Sequence, residues 1–362
     1  MPRTLGRLCA ALLTAVLLTA VASCTRSTPA PPPAYAAGTV IVAADGHGAV
    51  LMDPATNTFT GITADGAKAW TEKDLTTSGV TCVRACPDAV LSGAGPVGSA
   101  VPGNDLVWHI GSGRQDVAPP TADFQIVRAE SASDYLAVDA DSLRSVRDGR
   151  SSTAPLPAGN RQYRVSPDGT EVVLSIRSAG AGSAGDWALY TVSTAQPAAF
   201  ARLVAGTTPG PVGCVSSVQH SAVTLSTPAL EVDLATGQAK QVLPADFHTS
   251  LCTVSGSTLF AAAVKMGTTA VSQSVATADL ATGSRLPVQF GFSGSQTLAG
   301  VGTCGLATSG GNLVAYQGGG RSDIVRRGVI DAYTVADGEA VVLTDRGALE
   351  PVHSCTADAK QR

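Results

Sequence analysis

The side chains with most chemistry to offer are eight cysteines and five histidines. A thiol can be acylated, paired by oxidation or used as a metal ligand, and position in the chain separates these fates. Cys9 and Cys24 lie in an apolar N-terminal stretch, which leaves Cys82, Cys86, Cys214, Cys252, Cys304 and Cys355. An even number of cysteines in an exported chain reads as a disulfide framework. Six cysteines allow fifteen pairings, and spacing does not choose among them; chain order suggests Cys82 with Cys86, Cys214 with Cys252, and Cys304 with Cys355. The spacing matches no paired Cys-x-x-Cys knuckle, so no metal site is assigned. His47, His109, His220, His248 and His353 are scattered. His353 shares a strand face with Cys355 two residues on, where a hydrogen-bonded structural histidine is the plainer reading. There is no Gly-x-Ser-x-Gly elbow, no His-Glu-x-x-His pair and no Gly-x-x-x-x-Gly-Lys loop. No catalytic residue and no cofactor is therefore assigned.

The segment around Cys24 has its own logic. Arg3 and Arg7 precede an apolar run from Leu8 to Ala22, and small residues stand just before Cys24. That is the order of a secretory signal, and 15 residues fall short of the roughly 20 that span a bilayer as a helix. Val21-Ala22-Ser23-Cys24 resembles the lipobox of bacterial lipoproteins. The resemblance implies a lipid-modified Cys24, removal of residues 1–23, and a protein held on the outer face of the cell membrane. More than one acyl chain makes such an anchor stable. Residues 24–37 follow as a tether, with Pro29, Pro31, Pro32 and Pro33 favouring extended geometry. At about 3.1 Å per residue it would reach roughly 40 Å.

Residues 38–357 read as one all-β domain, followed by a tail at 358–362. Gly, Thr, Ser and Val dominate, and helix signals are scarce. A formal charge of −4 with 24 basic residues supplies no basic stripe, so a nucleic-acid partner is excluded. Arginine outweighs lysine and alanine is abundant, a bias that fits a high-GC, actinobacterial genome. Short apolar strands are joined by recurring turns. "VDLATGQAKQV" (232–242) and "ADLATGSRLPV" (278–288) are near copies, with "MDPATNTFTGI" (52–62) and "YTVADGEAVVL" (333–343) looser ones. Asp or Thr followed by Gly or Asn supplies the positive φ such turns need.

The Asp-x-x-Thr-Gly pattern resembles the outer hairpin of β-propeller blades of the quinoprotein or WD-like repeat type. Aligned on these turns, third strands fall near 51, 107, 144, 189, 231, 277 and 331, about 47 residues apart. A four-stranded blade takes roughly 40 to 50, so seven antiparallel blades are expected. Only three strands of the first blade are read from residues 38–62. "PVHSCT" (351–356) is expected to supply its inner strand and so close the ring. A six-bladed ring with one irregular blade over 79–160 is the alternative. In quinone-dependent propellers the same pattern implies a docking tryptophan a few residues on; residues 238–243 and 284–289 contain none, and no quinone is assigned.

Function is expected on the insertions, because loops on a rigid scaffold vary freely. Residues 63–78 read as the link between the first two blades, with Trp70 beside Lys73; residues 177–187 and 317–323 read as flexible second-to-third-strand loops, the latter carrying Arg321 and Asp323. Trp70, Lys73, Arg321 and Asp323 are the candidate binding residues. The leading reading is a lipid-anchored, extracytoplasmic propeller that binds a protein, glycan or envelope component without chemistry. The alternatives are a propeller-type hydrolase, such as a lactonase or sugar hydrolase, and an accessory subunit of an envelope transport or secretion complex.

Overall fold

A computed structural model describes residues 35–36, 38–98, 103–111, 113–121, 123–166, 169–178, 187–194, 202–265, 273–284, 289–290, 298–302, 304–317, 321–336 and 339–355. The expected signal, Cys24 and most of the expected tether lie outside the described residues. Among those described, the strands form eight sheets of antiparallel neighbours, each built from consecutive chain. Blade 1 is Val40–Asp45, Gly48–Asp53, Thr58–Thr63 and Lys68–Glu72. Blade 2 is Gly79–Cys82, Ala89–Pro96, Asp105–Ile110 and Gly113–Val117, with Leu75–Thr76 extending its broken inner edge. Blade 3 is Gln125–Ser131, Asp134–Val138, Ser142–Arg147 and Arg150–Pro155; blade 4 is Gly159–Val165, Glu171–Ser178, Trp187–Ser193 and Arg202–Thr208. Blade 5 is Val212–Ser216, Ser221–Thr224, Leu230–Asp233 and Ala239–Gln241; blade 6 is Phe247–Ser255, Thr258–Lys265, Gln273–Asp279 and Gln289–Phe290. Blade 7 is Leu298–Val301, Cys304–Ser309, Asn312–Gln317 and Arg321–Arg327. Blade 8 has three strands, Val329–Ala336, Glu339–Thr344 and Leu349–Val352.

Each blade is apolar on both faces, because successive residues of a strand point to opposite neighbours. In Thr258–Lys265, Leu259, Ala261 and Ala263 pack toward blade 5, while Phe260 and Ala262 pack toward blade 7. Gly305 makes the second contact possible, since a Cβ there would stand 2.6 Å from the Phe260 ring. The core is thus divided into one hydrophobic cluster per joint, and blades 8 and 1 share one as well: Ile41, Ala49, Leu51 and Ile62 meet Val341, Leu343 and Leu349.

Polar latches reinforce these joints. An inner strand has a sheet partner on one side only, so alternate amides face away from its own blade. Ile126 N–H donates to Ser92 Oγ of blade 2 at 3.0 Å, and Val212 N–H to Ser175 Oγ of blade 4 at 2.7 Å. At the seam, Ile41 N–H donates to Asp331 Oδ2 of blade 8 at 2.7 Å. In all three inner strands the pairing register shifts immediately after the latching residue. Such a bulge turns the backbone away from its ladder.

Two expectations are corrected. There are eight blades, not seven, because the stretch whose third strand was expected near 331 holds two sheets, blade 7 ending at Arg327 and blade 8 beginning at Val329, divided at Gly328 with φ of 67°. The C-terminal strand does not enter blade 1. That blade already has its inner strand at Val40–Asp45 and takes Lys68–Glu72 as its fourth, while Leu349–Val352 pairs within blade 8. The turn alignment also mixed hairpins. Residues 232–242 and 278–288 do join third to outer strands, but 52–62 joins second to third, and 333–343 joins inner to second.

The six cysteines pair as chain order suggested: Cys82–Cys86, Cys214–Cys252 and Cys304–Cys355. The last two cross blade joints. Cys304–Cys355 encloses a separation of 51 residues, for which chain entropy gives about 4 kcal/mol, against about 2 kcal/mol for a four-residue separation. Replacing both Cys304 and Cys355 with Ser should therefore lower urea-unfolding stability by roughly twice as much as replacing Cys82 and Cys86. Equal losses would refute the loop-length account.

Candidate functional site

The inner strands surround the axis of the molecule. There, blades 1, 4, 5, 6, 7 and 8 line a cavity of about 350 Å³. Strand alternation decides which side chains reach it. In Gly159–Val165, Tyr163 and Val165 pack against the core between blades 3 and 4, so Arg164 between them faces the cavity. Its guanidinium is held rather than loose: Nε donates to Gly213 O at 2.8 Å and Nη1 to Tyr163 O at 2.9 Å. Among the described residues Nη2 donates to no protein acceptor. Tyr333, from the inner strand of blade 8, stands close enough for its phenol to interact with the Arg164 charge. Burial pushes the Tyr333 phenol up, with Arg164 offsetting part of the shift. Burial also pushes the Arg164 guanidinium down, yet arginine stays charged throughout the physiological range. The Cys214–Cys252 disulfide and the hydroxyl-bearing Thr253 and Thr334 complete the wall. Gly213 accommodates the bridge, since a Cβ there would lie 2.9 Å from Cys252 Sγ. A fixed cation with one open donor edge, beside phenol and hydroxyl groups, suits an incoming acidic group such as a carboxylate.

Trp70 occupies another kind of site. Residues 63–78 are not a free link: Lys68–Glu72 is the outer strand of blade 1, and Trp70 within it is 7% exposed. Its indole lies parallel to the His109 ring of blade 2, 4.1 Å between centroids, and Nε1 donates to Pro87 O at 2.7 Å. Gly61 opens the space, because a Cβ would collide with the indole at 2.3 Å. His109 Nε2 stands 3.1 Å from Glu72 Oε1, and Arg114 pairs with the other Glu72 oxygen. These residues clamp blades 1 and 2 together, so Trp70 serves packing rather than surface contact.

Lys73 is exposed just past that strand, and Asp323 is exposed on the outer strand of blade 7. Arg321 begins that strand, with a side chain outside the described residues. Residues 317–323 join third to outer strands, not second to third, and 318–320 lie outside the described residues, as do 179–186 of the other proposed loop. Lys73 and residues 321–323 belong to different blades and are not gathered into one site with Trp70. Among the described residues, no three His, Cys, Asp or Glu side chains cluster as a metal ion would require. Sequence reasoning overlooked Arg164 and Tyr333. The available signal was an arginine in an inner strand whose counterparts carry mainly Cys, Ser, Val and Gly.

No protein-family model matches the sequence, and no curated protein matches it. Solved structures do resemble the fold. Saccharomyces cerevisiae Sqt1 aligns with TM-score 0.54 at 11% identity, over 89% of this chain and 98% of that one. The fold is a β-propeller. A prolyl endopeptidase aligns at TM-score 0.52 and 12% identity over 79% of this chain, and puromycin hydrolase at 0.50 and 16% over 81%. The alignments cover 49% and 54% of those two proteins, so the chain spans about half their length. Identities this low establish shape alone.

The His109 clamp has a pH signature. Burial holds the His109 pKa below its ordinary value, with Arg114 adding to the effect and Glu72 opposing it. The folded protein therefore keeps His109 neutral, whereas the unfolded chain takes up a proton below about pH 6.5. Stability from this site is present above that pH and is lost as pH falls toward the depressed folded-state pKa. Comparing urea unfolding at pH 7.5 and 5.5, His109→Phe should lose less stability on acidification than the parent. An unchanged difference would show that His109 titrates alike in both states.

Proposed function

We propose that this chain is a lipid-anchored, extracytoplasmic propeller that binds a protein, glycan or cell-envelope component without chemical transformation. Recognition of an acidic group on that partner occurs at the axial cavity. The observation that carries this reading is Arg164, fixed by Gly213 O and Tyr163 O with Nη2 left for an incoming acceptor. A partner carboxylate there would gain a charge-assisted hydrogen bond. The lipobox-like Val21-Ala22-Ser23-Cys24 and the Pro-rich stretch after it support the anchor.

Two experiments test the two halves of the proposal. Cys24→Ala should move the protein from the membrane fraction to the soluble fraction of whole cells; continued membrane retention contradicts the lipid anchor. For the binding half, a photoreactive residue at Thr334 should form one dominant adduct in intact cells. Arg164→Gln should reduce it about tenfold, the factor that loss of about 1.4 kcal/mol produces. An adduct of unchanged yield would remove Arg164 from recognition. Turnover of peptide, lactone or glycoside substrates by the purified protein, abolished by changes at the cavity, would favour a hydrolase instead.

A further inference from the structure

Three arginines gather where the outer strand of blade 7 ends and blade 8 begins. Arg326, Arg327 and Arg346 line a hollow of about 340 Å³ there. Arg326 is partly buried and pairs with Glu350. Arg327 and Arg346 are exposed, and neither makes an ion pair or side-chain hydrogen bond among the described residues. Asp345 is the other acid on the wall. A Cβ at Gly328 would stand 2.8 Å from its Oδ2, so the carboxylate lies against that glycine. Three arginines against two carboxylates leave the hollow one net positive charge. The corresponding turn of blade 3, on the same face, carries Asp139 and Asp141 and no arginine, so the face as a whole is not basic.

Position gives this local charge its partner. Gly328 and Asp345 also line a neighbouring hollow walled by Tyr35, Gly38 and Thr39, so the arginines flank the point at which the chain enters blade 1. Cys24 precedes Tyr35 by eleven residues, a span of at most about 40 Å. The entry edge is therefore the part of the domain whose distance from the bilayer a lipid on Cys24 would limit most tightly. We propose that this edge docks on the membrane through Arg327 and Arg346, which bind the phosphate of an anionic phospholipid headgroup. A guanidinium fork matches a phosphate, and arginines within a Debye length of an anionic leaflet are drawn to it. This rests on the lipid-anchor half of the proposed function and adds a second contact with the same membrane, one that orients the propeller.

The test uses the full chain, purified in detergent and reconstituted into vesicles of phosphatidylcholine alone or of phosphatidylcholine and phosphatidylglycerol, two to one. The mixed vesicles carry a trace of phosphatidylglycerol with a photoreactive diazirine on its headgroup, and adducts are mapped by mass spectrometry. The adduct should concentrate on residues 326–328 and 344–350. Arg327→Gln combined with Arg346→Gln should lower its yield about tenfold, and Asp345→Asn should raise it about threefold. Neither change should shift Tm, because exposed unpaired charges contribute little to folding. Retention in both vesicle types, with adducts spread over the surface or unchanged in the double variant, overturns the docking edge and leaves the anchor standing. Retention in the mixed vesicles only, with the adduct at the arginines, removes the anchor and sustains headgroup binding. Retention in neither overturns both. Loss of the adduct on adding inorganic phosphate at constant ionic strength would make the hollow a site for free anions, which also overturns the lipid assignment.

Discussion

The structure depends on sealing apolar blades side to side although, among the described residues, backbone pairing between blades is confined to one isolated bridge, Val83 with Ala129. Within a blade, hydrogen bonds fix the register. Between blades, only side-chain packing and a few directed contacts can do so. The inner-strand latches supply the direction: Ser92, Ser175 and Asp331 each receive an amide from the adjoining blade beside a bulge. All three side chains are buried, where an unmatched amide or carboxylate is costly. A blade displaced along its neighbour would break the bond and leave both groups unsatisfied. The axial position of Arg164 follows from this geometry, since its guanidinium is tied to Gly213, one residue after the latched Val212.

The seam between blades 8 and 1 carries a special burden because blade 8 has only three strands among the described residues. Its outermost strand, Leu349–Val352, carries Pro351, which cannot donate to a ladder. Arg326 of blade 7 pairs with Glu350 on that strand, and Cys355 just beyond it is bonded to Cys304. Asp331 then couples blade 8 to the first strand of the domain. Among the described residues, the seam is therefore held by packing, the Asp331 latch and a disulfide to the neighbouring blade, with no exchange of strands.

Local chemistry was legible in the sequence. Asp233 accepts from the amides of Ala235 and Thr236 at 2.9 and 2.7 Å, and Gly237 takes φ of 73°, as the Asp-x-x-Thr-Gly pattern implies. Cysteines on successive chain segments paired because neighbouring segments become neighbouring blades. The phase of the repeat was not legible, since a turn of this chemistry suits any hairpin in a blade. Asp53 uses the same capping bonds between second and third strands. Nor was the role of Trp70 legible: the charges beside it resemble an exposed loop, and only the approach of His109 from blade 2 shows that the strand is covered. Arg164 and Tyr333 gain their meaning from distant segments that linear spacing does not bring together.

The axial cavity thus uses residues placed by the joint of blades 4 and 5, and the ring that surrounds it is completed at the seam of blades 8 and 1. Native-state hydrogen exchange at the Ile41 amide, in the parent and in Asp331→Ala, tests this account most directly. Exchange in the parent should be as slow as global unfolding. In Asp331→Ala, protection should fall at Ile41 and across blades 1 and 8, while Val212 keeps its protection. Rapid exchange of Ile41 in the parent, or a uniform loss across all blades in the variant, would contradict a ring sealed at that seam.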